Sequence, residues 1–298
     1  MIKTQPRIAV LLAAYQGIRW IEEQINSILS QKAVHVTLFI SVDACPENIK
    51  EDGTLALCKQ VSEKYENVHL LPYGQRFGRA GANFFRLFKD VDLSSFDAVS
   101  LSDQDDIWFE AKLARAWEFL SQGRCQAYSS NVIAFWPDGR RKVIKKSYPQ
   151  SRYDYLFEAA GPGCTYVFNR DIALKLQDFL MEHTNDLSSV ALHDWLSYAY
   201  CRQQGVVWHI DNQATMLYRQ HSDNEVGVNE GFSAHIKRFK LVSQHYYRNQ
   251  VEVITRLVFP DLTSKLQSRF FLLSNCLRFR RRPRDRFALL IMFLLCIY

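Results

Sequence analysis

The chain has 298 residues, 48% of them apolar and 23% charged, enough to bury the core of one large α/β domain or one domain with a small appendage, which excludes a disordered chain. Its formal net charge of +6 gathers in the last quarter, in Lys237, Arg238, Lys240 and the run Arg278 to Arg286, and so points to a local partner. Seven cysteines (Cys45, Cys58, Cys125, Cys164, Cys201, Cys276, Cys296), an odd number with no C-x-x-C pair, exclude a disulfide framework and a zinc site and fit a reducing, cytoplasmic compartment.

Met1 to Arg7 is polar and the apolar stretch Ile8 to Ala14 is too short for a signal peptide, so Arg7 to Ala14 reads as a buried strand breaking at Tyr15-Gln16-Gly17. Trp20, Ile21, Ile25, Ile28 and Leu29 recur at helical spacing, with Glu22 and Glu23 near the helix start. Val36 to Val42 is a second buried strand ending on Asp43, Thr54 to Tyr65 a helix, and Val68 to Leu71 a third strand. Asn83 to Phe88 is helical, and Ala98 to Ser102 is a strand running into Asp103-Gln104-Asp105-Asp106. This βαβαβαβ order predicts a parallel sheet with right-handed crossovers, its ligands gathered beyond the carboxyl ends of the strands, where Tyr15, Asp43 and Asp103 all sit.

Further along, Glu110 to Leu120 reads as a helix, Ala127 to Phe135 as a strand ending at the turn Pro137-Asp138-Gly139, and Thr165 to Phe168 as a strand after the loop Gly161 to Cys164. A helix over Ile172 to Glu182 follows, then a helical stretch within Val190 to Gln203 with His193-Asp194-Trp195 at its start, then a short strand, Val206 to Ile210.

Three carboxylates within four residues after an apolar strand can hold a hard cation. Strand alternation would turn Asp103 and Asp105 toward one point while Asp106 turns away or supports them. Mg²⁺ or Mn²⁺ suits such oxygens and keeps open positions for diphosphate oxygens. Taken alone, a D-x-D-D reads first as the solvated turn that caps the next helix; its place at the fourth strand end of an alternating chain, with Asp43 and Tyr15 at earlier ones, favours the site.

The segments IAVLLAAYQG (8–17), INSILSQ (25–31), FISVDACPENIKEDGT (39–54), LSDQDDIWFEAKL (101–113), GPGCTYVFNR (161–170), HDWL (193–196) and YRQHSDN (218–224) together resemble, in order and spacing, the family 2 glycosyltransferases. These share the nucleotide-sugar-binding GT-A fold, an α/β fold with a mostly parallel central sheet flanked by helices. The wording SDQDDIW with YRQH is similar to bacterial rhamnosyltransferases of surface-polysaccharide (O-antigen or capsule) synthesis. The resemblance implies a GT-A domain over residues 1–225, a helical extension over 226–298, and an inverting transfer from a dTDP- or UDP-sugar, foremost dTDP-L-rhamnose, to a polyprenyl-diphosphate-linked saccharide.

Carried over residue by residue, it implies that Tyr15 stacks near the base, that Asp43 accepts the uracil or thymine imide N–H, and that Ala13 and Gln104 line the donor. Asp103 would contact the ribose or the metal, Asp105 would ligate the cation with His221 completing its shell, and Asp194 would be the catalytic base. Trp108, Gly163, Cys164, His193 and Trp195 would line the acceptor or sugar pocket, with Arg79 and Asn83 nearby and Arg219 on a phosphate. The family commonly has Glu at the position of His193 and Asp at that of Val42, so the base rests on Asp194 alone and base reading on Asp43 alone.

At the carboxyl end, Arg278, Arg280, Arg281, Arg282, Arg284 and Arg286 precede the apolar run Phe287 to Tyr298, which falls short of the roughly 20 residues a spanning helix needs. Arginines beside an apolar stretch suit peripheral attachment to an anionic membrane surface, here the cytoplasmic face of a bacterial inner membrane; a helix packed on the domain or on a second copy in a homo-oligomer is the competing reading. No aromatic platform accompanies the arginines, which disfavours nucleic acid. A non-catalytic nucleotide-sugar-binding subunit would have no need of Asp194, and a nucleotidyltransferase would need a Gly-rich, Lys-containing phosphate loop after the first strand, which is missing here.

Overall fold

A computed structural model describes residues 5–221 and 246–295. β1 (Arg7–Ala14) is buried at every position after Arg7, as a strand covered on both faces must be. α1 (Ile21–Leu29) packs Ile21, Ile25 and Ile28 into the core on that side of the sheet. β2 (His35–Val42), α2 (Thr54–Lys64), β3 (Val68–Leu70), α3 (Ala80–Asp90) and β4 (Ala98–Ser102) then follow the predicted alternation. Two short strands were not foreseen, β5 (Ile107–Trp108) directly after the acidic loop and β7 (Arg141–Ile144) after β6 (Ala127–Phe135). Between β5 and β6 lies α4 (Lys112–Ser121); later come β8 (Val167–Asn169), α5 (Arg170–Glu182), α6 (His193–Gln203) and β9 (Trp208–Arg219).

The sheet runs β3-β2-β1-β4-β8-β6-β9-β5, with β7 paired to Val132–Phe135 at the far end of β6. Its first four strands are parallel, and beyond β4 it is mixed, because β8 enters from a loop and lies antiparallel to both β4 and β6. β2 and β3 are laid to one side of β1 and β4 to the other, which makes the carboxyl ends of β1 and β4 a topological switch point, the place where open α/β sheets bind ligands. The register pairs Leu12 with Ser102, so Tyr15 and Asp103 leave the sheet as neighbours.

Among the described residues, four α-helices follow β9: α7 (Tyr246–Val258), α8 (Pro260–Leu266), α9 (Arg269–Asn275) and α10 (Pro283–Leu294). Val251, Ile254, Val258, Leu266, Phe279, Leu289 and Phe293 from this region join the same core as Phe84 and Phe88 of α3 and Leu196 and Ala199 of α6. The expected boundary at residue 225, the basic residues Lys237, Arg238 and Lys240, and Cys296 lie outside the described residues. Among the described residues no helix is long and apolar enough to cross a membrane.

Candidate active site

The acidic loop is held from several sides. β4 ends at Ser102, so residues 103–106 form a turn and strand alternation does not govern them. The expected pairing of Asp103 with Asp105, Asp106 standing aside, is corrected accordingly: Asp103 groups with the fully buried Asp106 and with Cys164, their ligand atoms within 4.8 Å of one another. The Asp106 carboxyl accepts the Arg219 amide at 3.1 Å through Oδ1, while its buried Oδ2 has no partner among the described residues. Burial above all, then the charges of Asp105 and Asp103, pushes the Asp106 carboxyl well above the usual carboxylate range. Burial likewise brings the Lys112 ammonium, 3.5 Å from the centre of the Trp108 ring, down to about 7.

Asp105 meets His221, His221 Nε2 lying 2.7 Å from Asp105 Oδ2 with its ring stacked on Trp20 at 4.0 Å. Arg219, expected on a phosphate, braces the loop instead: its Nε donates to the Asp105 carbonyl at 2.7 Å and its Nη2 pairs with Glu23 at 2.5 Å. The arrangement fits a hard divalent cation. Three clustered carboxylates repel one another, one has a buried oxygen without a partner, and the adjacent Cys164 thiol is pushed up by burial, then by Asp106 and Asp103, so it stays protonated and leaves the oxygens as ligands.

Gln104 joins the loop to β1. Its Oε1 accepts the Tyr15 amide and its Nε2 donates to the Tyr15 carbonyl, both at 2.8 Å, so the amide expected on the donor is engaged with main chain. Gly17 permits this approach, since a Cβ there would lie 2.2 Å from Gln104 Oε1. Tyr15 is exposed at the rim and Ala13 lies buried beneath it in β1. The Tyr15 phenol is raised above its ordinary range by desolvation first, then by the charges of Cys45 and Asp43, with Arg76 opposing. Asp43 is buried, and its two oxygens accept the amides of Phe77 at 2.5 Å and Gly78 at 2.7 Å, which fixes the loop ahead of α3.

Asp194 stands in the first turn of α6, one oxygen accepting the Trp195 amide at 2.7 Å. The turn Gly161 to Cys164 links it to the acidic loop. A Cβ on Gly163 would lie 2.4 Å from His193 Nε2 and 3.2 Å from the Asp194 Cβ, while the Sγ of the next residue, Cys164, lies within 4.8 Å of carboxylate oxygens of Asp103 and Asp106. Two consecutive residues thus touch the two halves of the site. His193 stacks on Phe84 at 4.0 Å, its Nε2 is buried without a partner among the described residues, and burial pushes the imidazole down to about 3, so it is neutral.

Several residues expected in the pocket lie elsewhere. Trp108 belongs to the core on the α1 side, and Trp195 to the core beneath α6, where its Nε1 donates to the Tyr155 carbonyl at 2.7 Å; Cys164, buried in the α1-side core, keeps its thiol beside the acidic loop. Large rings and a thiol next to polar motifs read as pocket lining, but their surface is best removed from water by packing. Asn83 is also buried, donating to the Ser41 carbonyl at 2.9 Å, and Arg79 donates to the Leu187 carbonyl at 3.3 Å. The sequence reading passed over Lys146. It belongs to the charged stretch Arg140 to Lys146, which reads as a solvated face, yet it is half-buried with its stem 3.6 Å from the Cβ direction of Gly161.

No family profile matches the chain. Among curated proteins, the chain is 39% identical over 294 residues to the dTDP-rhamnosyl transferase RfbG of Shigella flexneri, covering 96% of this chain and 100% of that protein. Among solved structures, residues 1–349 of S. aureus TarS in complex with UDP-GlcNAc match with a TM-score of 0.56 at 14% identity, covering 97% of this chain and 71% of that one. The mannosyltransferase PcManGT from Pyrobaculum calidifontis, in complex with GDP-Man and Mn²⁺, matches with a TM-score of 0.53 at 14% identity, covering 99% of this chain and 82% of that one. These two likenesses establish the fold alone.

Proposed function

The chain belongs to the GT-A glycosyltransferases, related to a dTDP-rhamnosyl transferase, and from that premise we propose that it transfers L-rhamnose from dTDP-L-rhamnose, with inversion, to a lipid-linked saccharide of bacterial surface-polysaccharide synthesis. The observation that carries this reading is the turn Gly161 to Cys164, which runs from beside the acidic loop at the β1/β4 switch point to Asp194 at the head of α6. Asp194 takes the proton of an acceptor hydroxyl as that oxygen attacks the anomeric carbon from the face opposite the diphosphate. A single base suffices, unlike the carboxylate pair of glycoside hydrolysis, because no acid need protonate the departing group. Asp103, Asp105 and Asp106, with His221 on Asp105, would hold Mg²⁺ or Mn²⁺, whose chemistry there is Lewis-acid neutralisation of the leaving diphosphate. Tyr15 and Asp43, at the ends of β1 and β2, border the place for the pyrimidine base.

The acceptor's lipid agrees with the outer face of the carboxyl-terminal helices. Phe270 is 82% exposed and Phe287 64%, and Leu277, Ile291, Leu294 and Leu295 are exposed with them, beside Arg278, Arg282 and Arg284. Such a surface suits insertion into the headgroup region of an anionic leaflet. We place the enzyme there, peripherally, on the cytoplasmic face of the inner membrane.

A panel of dTDP- and UDP-sugars, assayed with and without Mn²⁺ or Mg²⁺ on a lipid-linked saccharide, tests the proposal. Metal-dependent transfer is expected from dTDP-L-rhamnose, abolished by chelation and by Asp105→Ala. Preference for a UDP-hexose or UDP-N-acetylhexosamine would replace the donor, and donor binding without turnover would replace the enzyme by a binding subunit.

A further inference from the structure

We propose that Lys146 is the residue that binds an anionic phosphate group of the acceptor, beside the hydroxyl that Asp194 deprotonates; the proposal rests on the reading of Asp194 as the base. Lys146 follows β7 and is held from behind: its amide donates to Asn131 Oδ1 at 2.6 Å, the amide of Ser147 donates to the same oxygen at 3.0 Å, and Asn131 is itself buried in β6. The side chain then runs along the turn that also carries Asp194's neighbour. A Cβ on Gly161 would lie 3.7 Å from Lys146 Cβ and 3.6 Å from its Cγ, and Gly163, two residues on, faces His193 and Asp194.

The charges around Lys146 make an anion the fitting ligand. Its ammonium has no hydrogen bond or ion pair to an acid among the described residues; of the acids felt there, Glu158 and Asp285 are engaged by arginines, and Asp194 is the proposed base itself. Glu158 Oε1 accepts the Arg281 amide at 2.5 Å, Glu158 Oε2 lies 3.7 Å from Arg281 Nη2 and 3.9 Å from Arg280 Nη1, and Asp285 lies 3.2 Å from Arg284 Nε. Burial first, and the charge of Arg281 next, pull the Lys146 ammonium below its usual range against Glu158, Asp194 and Asp285. A half-buried cation that makes no ion pair among the described residues is costly, and a bound anion lowers that cost.

The donor's diphosphate belongs at the acidic loop, across the turn, so an anion at Lys146 belongs to the acceptor. Asp285, one of the charges felt at Lys146, opens α10, whose exposed Phe287 and Ile291 face the proposed membrane; a phosphate carried on a lipid arrives from that side.

Two acceptor analogues with the same sugar separate the possibilities, one an alkyl diphosphate glycoside and the other a neutral alkyl glycoside. Each is titrated calorimetrically against the full chain and its Lys146→Met and Lys146→Arg variants, and transfer is then measured with each. The native protein is expected to bind the diphosphate glycoside more tightly. Lys146→Met should weaken that binding and raise its KM roughly 10- to 100-fold, leaving the neutral glycoside and dTDP unchanged, and Lys146→Arg should restore most of the loss. Equal losses on both glycosides, no loss on either, or native binding no tighter for the diphosphate would each overturn the proposal. Failure to transfer from any dTDP-sugar, with the Lys146-dependent binding intact, would instead count against the proposed reaction.

Discussion

Asp194 already accepts one main-chain amide, and Gly163 packs against its Cβ side, so the geometry of the proposed base depends on a glycine in the neighbouring turn. Asp194→Asn keeps the shape and removes the basicity; it is expected to lower kcat by about 10²- to 10⁴-fold while leaving the dTDP dissociation constant unchanged, and full activity would remove Asp194 from its role. Gly163→Ala should displace His193 and Asp194 at a cost of about 1–3 kcal/mol, seen as a lower denaturation midpoint together with a fall in kcat; an unchanged kcat would sever the turn from the base. His193 has a pH signature. Its folded pKa, about 3, lies below the ordinary 6.5, so the stability it contributes is complete above the upper value and is lost as pH falls toward the lower one. Urea midpoints measured from pH 7 to pH 4 should therefore fall less steeply in His193→Gln than in the native protein, and parallel curves would contradict the burial of a neutral imidazole.

Residue by residue, the sequence was most informative where polarity interrupts an apolar run. Tyr15, Asp43 and the acidic loop declare themselves by ending strands, and His221 was placed beside Asp105 on motif alone. Trp108 and Trp195 misled because proximity in sequence to a motif does not say which side of the backbone faces the cleft. Lys146 left no signal at all, because its burial comes from the later turn at Gly161 and from Asn131 in another strand.

At the scale of elements, α6 is fastened to the carboxyl-terminal region through one buried acid. Asp154 receives Tyr198 Oη at 2.8 Å and Arg202 Nη1 at 2.8 Å from α6, and Arg281 Nη1 at 3.1 Å. This corrects the reading of the arginine run as a uniform headgroup-binding stretch: Arg281 is 3% exposed and its charge is paired inside the protein. Removing one member of such a buried set leaves the others uncompensated, so Asp154→Ala is expected to cost about 3–5 kcal/mol in chemical denaturation, and a loss under about 1 kcal/mol would contradict the network. The elements legible in advance were those with a clear period, β1 to β4 and the helices between them. β7 was missed because it is an exposed edge strand without alternation, and β5 because two residues carry no period. β9 was read only to Ile210 because His209, Asp211, Asn212 and Gln213 break its apolar text, although pairing with β6 carries it on to Arg219.

For the whole molecule, one core joins the sheet to the last helices among the described residues, and the most exposed large apolar side chains, Phe270, Phe287 and Leu295, lie on or at the ends of those helices. Replacing Phe270, Phe287 and Ile291 together by serine should abolish sedimentation with anionic vesicles without changing dTDP binding; undiminished sedimentation would assign membrane attachment elsewhere. The central claim is that a nucleotide sugar and a divalent cation occupy the cleft between the acidic loop and Asp194. A crystal structure with dTDP and Mn²⁺ tests it most directly, by anomalous scattering. The account predicts a manganese peak ligated by the carboxylates of the loop 103–106, the thymine beside Tyr15 and the β-phosphate directed toward Asp194; a peak elsewhere, or a nucleotide bound away from the β1/β4 switch point, would contradict it.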